Sequence, residues 1–290
     1  MAHSRFLDDQ EGHGNLLLPI QGYKNCTLLP LEEAVKPLTH LCENLLANVW
    51  IIKKRCETIV DNVLSIDESA SIQLYTTEWL PSENTVYYQL NHVLRSKERV
   101  KLISPWLLYL KLFLTALFKL ESVQTVIWRG IRGNFSNHYP EGKEIIWWGF
   151  SSCTQSIKLL ELDQYLGKDG DRTLFNIQCL KGKQVQKYSY YSENEVLLMP
   201  GTYLQVVDTL DAGNGLHVIH LRELIPPHEL LQPPFSVVMK TSEPEGIFPK
   251  KNFIFEYFPE ITRIRTEKSV YSPISAIVRF EKDCTLSPAE

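Results

Sequence analysis

A chain of 290 residues, 44% hydrophobic and 22% charged, has the composition of an ordinary globular protein of one large domain or two modest ones. A formal charge of -4, with lysines and arginines scattered along the chain, argues against nucleic acid as the main ligand. Six cysteines without any C-x-x-C pair give no zinc cluster or dithiol site, and the first twenty residues hold no apolar run of secretory length, so reduced thiols and a cytoplasmic location away from membranes are expected.

Residues 1–24 are polar, glycine-containing and aperiodic, which predicts a flexible arm. From Leu31 to Leu64 the apolar residues Leu41, Leu45, Val49, Ile52, Cys56, Ile59 and Val63 recur every three or four positions, the mark of one long amphipathic helix or two in tandem, with Pro37 near a start or break. A second helix fits Thr85 to Lys97 through Val86, Leu90 and Leu94. A third begins at Ser104-Pro105, serine as N-cap and proline at the first helical position, and carries the apolar stretch Trp106 to Leu120, too short to span a bilayer and interrupted by Lys111 and Lys119.

After Glu121 the texture changes to short β-rich runs, Thr125–Trp128, Ile145–Phe150, Thr173–Leu180, Glu195–Leu198, Thr202–Val207 and Leu216–Leu221, parted by Gly and Asn turns. Helices first and strands second predict an α+β fold, not alternating βαβ units. The pairs Pro226-Pro227 and Pro233-Pro234 close that region, so the organisation expected is an arm over 1–24, one domain over 25–232 with a helical part (25–120) and a β-rich part (121–232), and a C-terminal extension over 233–290.

Three short segments offer polar groups at strand edges, where a rigid scaffold can present them to a ligand. Trp128-Arg129-Gly130 ends an apolar strand; a guanidinium can pair with phosphate through its planar fork, and glycine admits a ligand close to the backbone. Gly149-Phe150-Ser151-Ser152-Cys153-Thr154 ends a strand in hydroxyls but lacks the second glycine of a G-x-S-x-G elbow, so neither serine is read as a hydrolase nucleophile. Ser192-Glu193-Asn194-Glu195 runs straight into Val196-Leu197-Leu198; two carboxylates one residue apart point to the same face, and the apolar run anchors Glu195 beside the core. Taken singly, each segment is more often a turn, a cap or a solvated loop.

In order and spacing the three together resemble the R-S-E clade of arginine-specific mono-ADP-ribosyltransferases, which includes vertebrate ectoenzymes and bacterial toxins. The flanking Tyr75-Thr76, Leu90-Asn91, Arg95, Thr173-Leu174-Phe175 and Cys179 resemble the corresponding ectoenzyme stretches. The resemblance implies a helical subdomain followed by the ADP-ribosyltransferase β-sandwich core, and NAD as substrate with no metal. It implies that Arg129 and Gly130 bind NAD, and that Ser152, second of the hydroxyl cluster after Phe150, orients the catalytic Glu195, with Ser151 as substitute one register away. Cys153 and Thr154 depart from the family's Ser-Thr-Ser. Glu193, first of the Glu-x-Glu pair, implies an arginine-containing protein as acceptor.

No G-x-G-x-x-G fingerprint supports a nicotinamide dehydrogenase. The nearest rival is an NAD glycohydrolase using Arg129, Ser152 and Glu195 with water as acceptor; a non-catalytic interaction protein on the same fold is the other. Poly-ADP-ribose polymerases carry histidine and tyrosine where Arg129 and Ser152 stand, so chain elongation is not expected. Trp147 and Trp148 are read as core residues at least as readily as ligand-stacking ones, and His217 and His220 as structural.

Overall fold

The computed structural model describes residues 17–59, 62–163, 165–191 and 194–235, with the backbone of two further short strands at 255–256 and 277–278. The chain divides into two compact units, Met1–Gln232 and Pro233–Glu290.

The first unit opens with helices: α1 (Leu31–Val35), α2 (Leu45–Cys56), α3 (Ile66–Thr76), α4 (Val86–Arg95), α5 (Arg99–Leu102) and α6 (Leu107–Lys119). The three-to-four spacing expected over 31–64 is used by α2, which buries Leu45, Val49, Ile52 and Cys56; the helix stops there, and Val63 is exposed. Pro37 lies in a 3-10 turn after α1. Ser104-Pro105 opens a 3-10 turn that leads into α6 instead of capping it directly.

Helix α6 is the hub of the helical layer. Leu110, Phe113, Leu114 and Leu117 are fully enclosed, and burial of each such side chain stabilises by about 1.5–3 kcal/mol. Its two lysines are accommodated at the margins: Lys111 Nζ donates to the Lys24 carbonyl at 2.8 Å and Lys119 pairs with Glu68 at 2.7 Å. Among the described residues no helix is long and apolar enough to cross a membrane.

Helix α3 has no counterpart in the sequence-based expectation. Its sequence IDESASIQLYT is polar and nearly without amphipathic bias, yet Glu68 through Thr76 are all buried. A central helix meets neighbours on every side, so periodicity carries no signal there. A capping box between Ser65 and Glu68 starts it, Glu68 is neutralised by Lys119, and Ser71, Thr76 and Thr77 return their hydroxyl protons to carbonyls one turn back.

Residues 17–24 depart from the flexible arm expected of them. Ile20 forms a parallel bridge with Leu231, its N–H donating to the Leu230 carbonyl at 2.8 Å, and Tyr23 is enclosed with its hydroxyl on the Gln232 carbonyl. Two apolar side chains and a borrowed strand edge outweigh the polar composition around them. The rest of the arm, 1–16, lies outside the described residues.

Strands follow: β1 (Ser122–Arg132), β2 (Glu144–Trp147), β3 (Ser151–Thr154), the short α7 (Ile157–Leu160), β4 (Arg172–Gln184), β5 (Glu195–Leu198), β6 (Thr202–Asp211) and β7 (Leu216–Glu223). They pair in the order β1-β3-β5-β4-β7-β6-β2, and β1 also pairs with β4, so β1, β3, β5 and β4 close on themselves. Among the paired strands described, β4 and β7 alone run parallel. Cys153, Val196 and Leu198 from the closed arm share one core with Ile145, Trp147, Leu204, Val206, Ile219 and Leu221 from the other, the two-faced packing of a sandwich. The α+β class expected from the sequence is the class found.

The run expected as one strand over Ile145–Phe150 is two. Trp148-Gly149-Phe150 breaks it and sends Trp148 and Phe150 into the helical core while Trp147 stays in the sheet core. Both tryptophans are thus structural; Arg99, whose guanidinium pKa burial lowers to about 10, lies 4.4 Å above the Trp148 ring.

In the second unit, most of the C-terminal extension over 233–290 lies outside the described residues; β8 (Phe255–Glu256) and β9 (Ile277–Val278) pair antiparallel.

Candidate active site

Arg129, Ser152 and Glu195, one from each of the three segments singled out in the sequence, lie on β1, β3 and β5. Strand β3 runs between β1 and β5, with Trp128 opposite Thr154 on one side and Thr154 opposite Glu195 on the other. Arg129 is fully enclosed, and its Nη1 donates to the Ser152 carbonyl at 2.9 Å, which ties β1 to β3. Along β1 it shares its side of the strand with Ile127 and Ile131, both of the sheet core.

Gly130 makes a close approach that a side chain would prevent. A Cβ placed there would lie 2.9 Å from Leu166 Cβ and 3.1 Å from Leu166 Cδ1. Leu166 belongs to a small cluster with Leu160, Tyr165 and Leu174, against which Trp128 packs, and Arg132 holds the segment down through the Tyr165 and Asp163 carbonyls.

Glu195 begins β5 and is fully buried. Its Oε2 accepts a hydrogen bond from Ser189 Oγ at 2.9 Å. The expectation that Ser152 holds it is not what the register produces. Ser152 stands opposite Leu197, one diagonal step from Glu195, where paired side chains are about 7–8 Å apart. Its buried Oγ has no hydrogen-bond partner among the described residues. Ser151 alternates to the other face of β3, and Thr154, directly opposite Glu195, has its Oγ1 accepting from the Ser156 N–H at 3.0 Å. Glu193 lies outside the described residues.

Two features of the helical layer fix this region. Asn91 of α4 grips the turn before β3 from both sides: its Oδ1 accepts from Phe150 N–H at 2.9 Å, and its Nδ2 donates to the Phe150 carbonyl at 3.0 Å and to the Tyr75 hydroxyl at 3.1 Å. Tyr75 and Phe150 both pack on Phe113. Thr76, at the end of α3, accepts from Tyr190 N–H at 2.9 Å and so holds the chain that leads to Glu195. Beside Ser189 a groove of about 550 Å³ opens, with Lys54, Arg55, Lys187 and exposed Trp50 among its walls; Arg55 stacks 4.0 Å over the Tyr190 ring.

Two buried groups near β5 have displaced pKa values. Lys183, opposite Leu197, is lowered to about 8 by burial and then by the charge of Lys181; its Nζ donates to the Leu120 carbonyl and to Ser122 Oγ. Burial pushes the Cys179 thiol up to about 12, reinforced by the Glu223 carboxylate. Cys26, Cys42, Cys56, Cys153 and Cys179 form no disulfide. Among the described residues no cluster of three metal-ligating side chains occurs. His217 and His220 sit opposite Asp211 and Asp208 on the β6–β7 ladder, and the buried His220 Nε2 has no hydrogen-bond partner among the described residues.

A family model described as NAD:arginine ADP-ribosyltransferase matches residues 39–227, which takes in the three motifs and β1 to β7. The chain belongs to the NAD:arginine ADP-ribosyltransferase family. Its membership supports NAD-dependent ADP-ribosyl transfer as the activity. Among solved structures this transferase is similar to the eukaryotic mono-ADP-ribosyltransferase ART2.2, at 17% identity, with a TM-score of 0.51 over 73% of this chain and 98% of that one. It is also similar to the type III effector XopAI from Xanthomonas axonopodis pv. citri, at 16% identity and a TM-score of 0.50, over 74% and 93% of the two chains. At these identities the likeness is one of fold. Curated protein sequences give no match.

Ser189 is the hydrogen-bond partner of Glu195 that sequence reasoning did not find. It sits six residues before Glu195 among three tyrosines, in a turn with no periodicity, and only the folded loop reveals its partner.

Proposed function

We propose that this protein transfers ADP-ribose from NAD to an arginine side chain of another protein and releases nicotinamide. The observation that carries the reading is the placement of Glu195: a fully enclosed carboxylate at the first residue of a core strand, aimed by a fixed hydroxyl, one strand away from β3, to which Arg129 is bonded.

The bond that breaks joins the nicotinamide nitrogen to ribose C1′. Its electrons go to the ring, which leaves neutral and needs no general acid, and the ribose becomes oxocarbenium-like. A carboxylate held in a dry site stabilises that charge without reorganising as it forms. Glu195 takes this role. Arg129 and Gly130 form the NAD-binding pair. Ser152 lies one diagonal step from Glu195, and its Oγ, bonded to no described residue, is the hydroxyl offered to the ribose. The guanidino nitrogen of the acceptor attacks C1′ and passes its proton to Glu193, which also orients the guanidinium through charge-assisted hydrogen bonds.

Incubation with labelled NAD and agmatine tests the reading. An ADP-ribosyl-agmatine adduct that disappears in Glu195→Gln is the expected result. Nicotinamide release with no adduct would assign the site to hydrolysis, and an unchanged Glu195→Gln variant would remove Glu195 from the chemistry.

A further inference from the structure

We infer that Ser189 is the positioning residue for Glu195, the role that family resemblance gives to Ser152. The inference rests on the proposed function, in that it needs Glu195 to be the carboxylate facing the ribose.

A carboxylate on a flexible side chain stabilises developing charge only when its rotamer is fixed before the reaction, so the group that holds it contributes to rate without touching substrate. Ser189 meets the geometric condition. Its Oγ lies 2.9 Å from Glu195 Oε2, and the two residues are 8% and 0% exposed, so water does not compete for the bond. Ser152, the alternative, is opposite Leu197 and its Oγ bonds to no described residue.

Ser189 is itself held from three directions. Its N–H donates to the Val185 carbonyl at 2.8 Å, as does that of Tyr188 at 2.9 Å, which closes a tight turn. The next residue, Tyr190, donates its N–H to Thr76 Oγ1 at 2.9 Å and so ties the turn to the helical layer. At the base, Lys183 stands opposite Leu197, Gln184 opposite Val196, and Val185 N–H reaches the Glu195 carbonyl at 3.1 Å. The donor and acceptor of the Ser189–Glu195 bond therefore sit on one hydrogen-bonded frame, and the backbone fixes their separation. A hydroxyl held this way aims the carboxylate through its Oε2.

The full-length protein carries the test. Ser189→Ala lowers kcat for ADP-ribosyl-agmatine formation by about 10- to 100-fold, the loss of one hydrogen bond to a charged group, while KM for NAD stays within about twofold because the dinucleotide contacts are elsewhere. Ser189→Thr, which keeps the hydroxyl, returns kcat to near wild type. A structural role alone would not separate kcat from KM, and threonine would not rescue it. Wild-type kcat in Ser189→Ala, with the loss appearing in Ser152→Ala instead, overturns the assignment. Should Ser189→Ala lose its cooperative unfolding transition, Ser189→Cys replaces it: the same volume with a weaker donor gives a reduced kcat at constant KM, and an unchanged kcat overturns the assignment. Glu195→Gln, run in parallel, separates the two levels. An inactive Glu195→Gln beside a normal Ser189→Ala removes only Ser189, whereas an active Glu195→Gln removes the functional reading and the positioning role with it.

Discussion

Gly130→Ala should be costly for a reason that a second substitution can reduce. The backbone φ at Gly130 is not in the left-handed region, so alanine is conformationally acceptable there. The obstacle is Leu166, whose Cβ, Cδ1 and Cδ2 would lie 2.9, 3.1 and 3.2 Å from the new methyl group. Contacts at these distances with three atoms of one side chain, one of them the stiff Cβ, force the segment to shift, and overpacking of this kind costs about 1–3 kcal/mol. For a cooperative unit of this size that is a fall in Tm of roughly 2–12 °C. Leu166→Ala alone costs about 2–5 kcal/mol as a buried leucine truncation. In the Leu166→Ala background the Cδ1 and Cδ2 contacts are gone and the Cβ contact at 2.9 Å remains, in a segment now freer to yield, so Gly130→Ala costs less there than in the parent. The cost of the same substitution therefore falls when Leu166 is shortened. Urea unfolding of the four proteins closes the cycle. An equal cost of Gly130→Ala in both backgrounds would refute the reasoning, because it would mean that Leu166 is not what excludes a side chain.

Lys183→Met should raise stability near neutral pH. A lysine whose pKa is lowered to about 8 in the folded protein, against 10.5 unfolded, binds protons less tightly when folded. Its burial thus costs stability below pH 8, and the cost is relieved as pH rises from about 8 towards 10.5. The Tm advantage of Lys183→Met over the parent, measured between pH 7 and pH 10, should shrink across that window, and a constant advantage would contradict the burial account. Asn91→Leu leaves the buried Phe150 N–H and carbonyl without their shared partner and should cost about 2–5 kcal/mol in urea titration. Tyr75→Phe removes one hydroxyl and should cost about 0.5–1.5 kcal/mol; the reverse order would place the clamp on Tyr75.

What could be read from the sequence follows from which physical signals are local. Helix α2 and strand β5 were legible because each buries one face or one short run against the core, and periodicity records that directly. Helix α3 was illegible because enclosure on all sides erases amphipathicity, and the charge of its buried Glu68 is met by Lys119, a partner remote in sequence. The split between β2 and β3 was hidden because Trp148 and Phe150 are as apolar as a strand interior; they leave the sheet core for the helical one, a choice made by Asn91 and Arg99 from α4 and α5. Arg129, Ser152 and Glu195 do come to adjacent strands, but the hydroxyl on Glu195 belongs to Ser189, since a register decides contacts that spacing in the sequence does not encode.

The clamp made by Tyr75, Thr76 and Asn91 has a consequence for what counts as the smallest working piece of this molecule. Arg129, Gly130, Ser152, Ser189 and Glu195 all lie in the strand-rich half, so a fragment starting near residue 121 would keep every group assigned to the chemistry. It would nonetheless lose the three helical side chains that set the entry to β3 and the approach to β5. Such a fragment would carry the reagents without the jig that aligns them, and chemical competence here is a property of both layers together.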